Sequence, residues 1–261
     1  MEFSKLALKA FRHPRKAAYL ASYSALSIVG HRDFVRFIVL ARSRTGSNLV
    51  ISSLNSHPQV RCDGEILNKL NGRRFEKVLS HTFGKQPSFI RARGFKIFYY
   101  HPQDDPTCRL WDTLESMRDL HVIHLKRTNI LRTIISRKIA ARKGAWTSLS
   151  EQRHKQVGKA QLKVTFTVQE LREGFQQTRS WEENWDERFK HHAHLNISYE
   201  DITQRRAEQF QAMFSFLGVS PRETVSDLQR QNPQDMRSLV DNYDELKIAF
   251  ADTKWARFFE D

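Results

Sequence analysis

Cysteine is scarce in this chain: Cys62 and Cys108 are the only two in 261 residues. Two cysteines cannot build a disulfide framework, so a reducing compartment and a cytoplasmic location are expected. Neither has a C-x-x-C partner, which argues against thiol redox chemistry. Long apolar runs are missing as well. None reaches the ~18–20 residues of a spanning helix. The longest weakly polar stretch, Ala17–Gly30, has 14 residues and is interrupted by Ser22, Ser24 and Ser27. The glycine patterns of common nucleotide folds are also absent. There is no GxGxxG, and no Lys follows Gly46 as GxxxxGK[ST] would require, so an ordinary kinase, NTPase or dinucleotide enzyme is disfavoured. The chain has no internal repeat, low-complexity segment or zinc-finger spacing.

What the chain does have is material for a core and an excess of positive charge. Apolar residues make up 39%, with 18 Phe and 5 Trp, enough to exclude global disorder. Lys and Arg number 43 against 29 Asp and Glu, a net charge of +14, which favours phosphate, sulfate, anionic lipid or nucleic acid as partners. The cations are spread along the chain, not gathered in a tail or stripe, so no nucleic acid partner is expected. Residues 1–33 form a basic amphipathic leader, with Lys5, Lys9, Arg12, Arg15 and Lys16 preceding Ala17–Gly30. It admits three readings: helices packed on or beside the domain, peripheral membrane contact through residues 1–30, or a cleaved signal. Residues 34–261 fit one domain.

Apolar patterning places the elements. Phe34–Leu40 reads as a buried strand and leads through Arg42–Asn48 into a helix marked by Leu49, Val50, Ile51 and Leu54. His121–Leu125 starts a second such unit, with Ile130, Leu131, Ile134, Ile135 and Ile139 on its helix. Phe89–Tyr100, around Phe95–Phe98, and Leu195–Tyr199 give two more strands. Val168, Leu171, Phe175, Trp181, Trp185 and Phe189 mark a helical core face, and Phe210–Leu217 a helix stopped by Gly218. The polar tail ends in Trp255, Phe258 and Phe259, which are expected to dock back. Strands alternating with helices imply an α/β fold with a mainly parallel sheet flanked by helices.

The Arg42–Asn48 loop sits where a strand hands over to a helix, a natural site for an anion. Gly46 permits a tight turn and close approach. Ser43, Thr45, Ser47 and Asn48 supply short polar groups, while Arg42 and Arg44 supply forked positive charge suited to phosphate or sulfate. In the second unit, Arg127 follows a strand and Ser136 lies nine residues later on the helix. Two such junctions in one sheet suit a ligand with phosphate at both ends; a surface Arg and a self-bonded helical Ser is the plainer reading.

Arg42-Ser43-Arg44-Thr45-Gly46-Ser47-Asn48-Leu49, with Ser56-His57-Pro58-Gln59-Val60 and Gly64-Glu65-Ile66-Leu67, resembles the opening of the carbohydrate sulfotransferases. The type resembled includes the nodulation-factor and trehalose sulfotransferases. His121–Ser136, Tyr199-Glu200-Asp201 with Phe216–Val219, and the tail from Val240 to Glu260 resemble the same family, covering roughly residues 34–261. The resemblance implies a P-loop-like sulfotransferase fold and 3′-phosphoadenosine 5′-phosphosulfate (PAPS) as co-substrate, with no metal. It implies that Arg42, Ser43, Arg44, Thr45, Gly46, Ser47 and Asn48 hold the 5′-phosphosulfate, and that Arg127 and Ser136 hold the 3′-phosphate. Relatives often carry Arg-Arg-Asn at the second junction; here Thr128 stands in place of the second Arg, with Arg132 as a candidate helper.

An acceptor hydroxyl loses a proton as it attacks, so a base within reach assists. Glu65, in the Gly-Glu dipeptide, matches a catalytic Glu of the trehalose type; its plainer role is to complement a helix dipole. His101, after the Phe95–Tyr100 strand, is the second candidate base, and Lys96 is a candidate contact to the bridging oxygen or acceptor. His191, His192 and His194 lack a zinc-type ligand spacing. The reading is sulfuryl transfer from PAPS to a hydroxyl of a carbohydrate or glycolipid. The alternatives are a non-carbohydrate small-molecule acceptor, and a non-catalytic nucleotide- or polyanion-binding module.

Overall fold

The computed structural model describes residue 23 and residues 25–143, 163–224 and 235–260. Five parallel strands form one sheet: β1 (Val35–Ala41), β2 (Val60–Asp63), β3 (Ala92–Phe98), β4 (Leu120–Lys126) and β5 (His194–Ser198), in the order β2-β3-β1-β4-β5. β1 is central because its sequence, VRFIVLA, is apolar on both faces and suits a strand covered from both sides. Alternation sends Phe37, Val39 and Ala41 to one face and Ile38 and Leu40 to the other. Gly94 of β3 pairs with Phe37 of β1, and a Cβ there would lie 2.3 Å from the Phe37 carbonyl oxygen. The two strands therefore approach as they do only because that position has no side chain.

The first face is covered by α1 (Ser47–Leu54) and α7 (Arg206–Phe216), whose Val50, Leu54, Phe210, Met213 and Phe214 are buried against β1. The other face carries α2 (Phe75–Thr82), α3 (Arg109–Ser116) and the end of α5 (Val168–Arg188), with Trp111 and Trp185 at its centre. A third cluster joins α4 (Ile130–Lys143), α5 and the tail. α5 begins at a full capping box, Thr167 with Glu170. In the tail, α8 (Met236–Leu239), α9 (Tyr243–Phe250) and a 3₁₀ turn (Ala256–Phe259) fold back as expected. Phe250, Trp255 and Phe258 surround Phe175 with ring centroids 5.5, 5.4 and 5.0 Å away.

The expected strands are present with shifted ends. β1 runs one residue further than Leu40. β3 is shorter than Phe89–Tyr100. Tyr199, read as strand, instead opens α6 (Tyr199–Gln204), because the Ser198 side chain caps the amide of Asp201 and turns the chain. The leader through residue 22 lies outside the described residues.

Candidate active site

β1 and β4 are neighbours whose connections leave in opposite directions across the sheet, β1 toward β2 and β4 toward β5. The crevice at the carboxyl ends of strands beside such a switch point is where open α/β sheets bind ligands. The loop after β1 and Arg127 after β4 both lie there.

The loop turns its backbone donors toward the crevice. Arg44 and Gly46 take left-handed backbone, with φ of 71° and 88°. Alternating handedness of this kind turns successive N–H groups inward. No side chain caps the start of α1 and no acid lies in its first turn, so its leading amides and positive dipole end face the crevice. A Cβ on Gly46 would come within 2.3 Å of the Tyr199 ring, so the ring presses directly on the turn. Thr45 Oγ1 donates to the Arg42 carbonyl at 2.8 Å and braces the loop from inside.

Arg42 is only 6% exposed. Its guanidinium donates to Thr178 Oγ1 of α5 and lies 5.7 Å from the Trp181 ring. Burial, followed by the charge of Arg137, pushes its pKa down to about 10, so it stays cationic at neutral pH. Its Nε and the buried Ser43 hydroxyl have no hydrogen-bond partner. A buried cation with an unmet donor is costly unless an anion completes it. These groups therefore fit a phosphate- or sulfate-bearing substrate.

The two junctions, separate in the sequence, meet in space. Arg44 Nε donates to Ser136 Oγ at 2.8 Å, and Arg127 Nη1 donates to the Arg44 carbonyl at 3.1 Å. The Arg127 guanidinium lies 4.6 Å from the Tyr199 ring, the same ring that packs on Gly46. Arg44 thus reaches toward α4 and shares the second junction with Arg127 and Ser136. Thr128 offers its backbone instead of a charge: its amide and that of Asn129 donate to Glu200 at 2.9 and 3.3 Å. Glu200 already occupies the amide end of α4. An anion at this junction must therefore rely on the side chains of Arg44, Arg127 and Ser136.

The acid–base candidates converge beside α1. Alternation puts Lys96 of β3 on the α1 face, buried at 3% exposure. Its Nζ donates to Asn48 Oδ1 at 2.7 Å and sits 2.9 Å from Glu65 Oε1. The Glu65 side chain is one-third exposed, whereas that of His101 is fully enclosed, with Nε2 4.0 Å from Glu65 Oε2. Burial, reinforced by the charge of Lys96 and opposed by Glu65, holds the His101 pKa down at about 4. Nδ1 accepts the Phe98 amide at 3.2 Å, so neutral His101 carries its proton on Nε2, facing Glu65.

Several contributors were not visible in the sequence. Thr178, Trp181 and Arg137 come to the crevice from α5 and α4, and Tyr100 stands 6.1 Å from Trp181 and 5.9 Å from Arg137. The histidine trio is regrouped: His194 lies 3.5 Å from Asp186, which also accepts from His124 at 2.7 Å and pairs with Lys126. Among the described residues, His124, Asp186 and His194 form the one group whose ligand atoms could converge on a metal, but Lys126 already supplies it with a cation. Burial holds His124 down at about 4. Burial resists ionisation of Asp186, yet the hydrogen bonds from His124 and Lys126 outweigh it and hold that carboxyl at about 2.

A parallel α/β sheet with an uncapped P-loop-like turn, paired arginines and a carboxylate at its mouth has the form of a sulfuryl- or phosphoryl-transfer enzyme. A model of the Stf0 sulphotransferase family matches residues 101–245, more than half of the chain. The chain belongs to that family, as its motifs led us to expect. It is 27% identical over 243 residues to Nodulation protein H of Rhizobium tropici, covering 86% of this chain and 92% of that protein. It also aligns with the crystal structure of a sulfotransferase from Alicyclobacillus acidocaldarius at 15% identity and a TM-score of 0.46, over 85% of this chain and 93% of that one. The family match contains His101, Arg127 and Ser136. The first loop and Glu65 lie before it.

Proposed function

We propose that this sulfotransferase moves a sulfuryl group from PAPS to a hydroxyl of a carbohydrate or glycolipid. The observation that carries the proposal is the Asn48–Lys96–Glu65 chain, which ties a half-open carboxylate to the edge of the anion loop. The α1 amides, Arg42, Ser43, Thr45, Ser47 and Asn48 would hold the 5′-phosphosulfate. Arg44, Arg127 and Ser136 would hold the 3′-phosphate. PAPS supplies a sulfuryl group on a phosphate leaving group, a reaction that needs positioning and charge stabilisation more than covalent help. Glu65 takes the proton of the acceptor hydroxyl as its oxygen bonds to sulfur and the S–O(phosphate) bond breaks. Arg42 and the α1 amides stabilise the charge left on the departing phosphate. Lys96 orients Glu65, and neutral His101 supports it from behind. The partly exposed rings of Tyr100 and Trp181 suit the C–H faces of a sugar.

The test is a transfer assay with ³⁵S-labelled PAPS against oligosaccharides, glycolipids and simple phenols. Label appearing on saccharide hydroxyls is the expected result. Transfer confined to phenols would overturn the acceptor class.

A further inference from the structure

The amino ends of the strands, opposite the crevice, carry a second surface that this chemistry does not use. Here Tyr23 and residues 25–31 are held against the connection between α2 and β3. The Tyr23 hydroxyl donates to Gln86 Oε1, and the Arg61 guanidinium lies 5.7 Å from the Tyr23 ring. His31 and Gln86 exchange backbone hydrogen bonds of 2.9 and 2.8 Å, while Lys85 Nζ donates to the Ile28 carbonyl at 3.4 Å. Clamped this way, the segment presents its apolar side chains outward. Ile28 and Val29 are 74% and 84% exposed, and Leu26 and Phe89 are nearly half exposed. Among the described residues, these are four of the five large apolar side chains classed as exposed. Their clustering in two adjoining segments is therefore not the usual scatter of single surface apolar residues.

Positive charge accompanies the cluster in the chain. Arg32, Lys85 and Arg91 are exposed in the same segments, with Asp33 as the accompanying acid. A cleft of about 350 Å³, lined by His57, Arg61 and Phe89 among others, opens at this end, large enough for a glycerophosphate headgroup.

We propose that this surface docks on an anionic lipid bilayer. Aliphatic tips accompanied by Lys and Arg match the membrane interface, where apolar side chains enter the acyl boundary and cations meet lipid phosphates. No described helix is long and apolar enough to cross a membrane, and the contact proposed is a peripheral one. Because the surface lies at the amino ends of the strands, docking would leave the crevice facing away from the lipid. Seven-residue β1 spans the distance between them, ~20 Å.

The experiment is co-sedimentation of the full-length protein with phosphatidylcholine vesicles, with and without one-third phosphatidylglycerol. The same assay is run on the Ile28→Ser/Val29→Ser double variant and on Phe89→Ser, with monomer mass followed by analytical ultracentrifugation. Wild type should pellet with the anionic vesicles, weakly with the neutral ones, and less at high salt. The double variant should bind roughly tenfold more weakly or worse, as the loss of two inserted aliphatic side chains requires, while keeping its affinity for adenosine 3′,5′-bisphosphate. Equal sedimentation of wild type and both variants would overturn the proposal, as would no wild-type binding to anionic vesicles. A wild-type dimer that the double variant dissociates, without change in vesicle binding, would assign the surface to self-association instead. The nucleotide measurement reads the donor site separately, so failure here leaves the proposed reaction standing.

Discussion

A base for a hydroxyl must be ionised, within reach and open to the acceptor. Glu65 is half-open and ends a hydrogen-bonded chain from the anion loop; His101 is sealed in, with its proton on the nitrogen that faces Glu65. Glu65→Gln should therefore keep nucleotide affinity and lower single-turnover transfer by ~10²–10⁴-fold, the usual cost of losing a general base. A near-normal rate in a folded Glu65→Gln protein would remove Glu65 from that role. The buried histidines predict an acid limb in stability. His101 and His124 both titrate near 4 when folded, below the ordinary 6.5. Between those values the unfolded chain binds more protons, so stability is full above about 6.5 and falls as the pH drops toward about 4. The loss is of order 2–3 kcal/mol per histidine. Urea unfolding from pH 7.5 to 4.5 measures this; a flat profile would contradict the buried neutral state.

At the scale of elements, the anion loop depends on one residue without a side chain. Gly46→Ala places a Cβ at φ 88° and against the Tyr199 ring. It should cost ~1–3 kcal/mol of stability and distort the turn enough to weaken adenosine 3′,5′-bisphosphate binding. Unchanged affinity by titration calorimetry would show that the turn does not hold the nucleotide. Because Arg44 reaches Ser136 and Arg127 reaches the Arg44 backbone, Arg44→Ala and Arg127→Ala should act at the same end of the ligand. Each should cost ~1.5–3 kcal/mol, roughly tenfold or more in affinity. Both should narrow the preference for 3′-phosphorylated nucleotide over 5′-AMP, and an unchanged preference in either variant would defeat its assignment. The elements themselves were unequally legible. β1 and β4 were plain because a strand buried on both faces carries apolar residues at adjacent positions, Phe37–Ala41 in β1 and Val122-Ile123 with Leu125 in β4. β2, four residues (VRCD) at the sheet edge, gave no such run. The eight-residue helices α2 and α3, which bury only three residues each, were not read, although α1 of the same length was.

Across the whole molecule, the candidate loop residues stand out in the sequence because they are contiguous, whereas the groups that complete their crevice do not. Thr178 meets Arg42 across 136 positions, and Trp181 and Tyr199 arrive through the packing of α5 and the end of β5. No local pattern encodes such contacts. The joining of the two strand–helix junctions was hidden for the same reason, since Arg44 and Ser136 are 92 residues apart. The tail reaches the site too: Asn129 Nδ2 donates to the Phe258 carbonyl at 3.0 Å, tying the start of α4 to the 3₁₀ turn. The net charge of +14 draws anions to the molecule but does not choose among them. A ligand that binds only the folded state raises the protein's melting temperature, and raises it further the more tightly it binds. Thermal melting with adenosine 3′,5′-bisphosphate beside 5′-AMP tests most directly whether the site is built for a nucleotide phosphorylated at both ends. A large stabilisation by the bisphosphate with little from 5′-AMP is the predicted result; equal shifts from both nucleotides, or none from either, would contradict it.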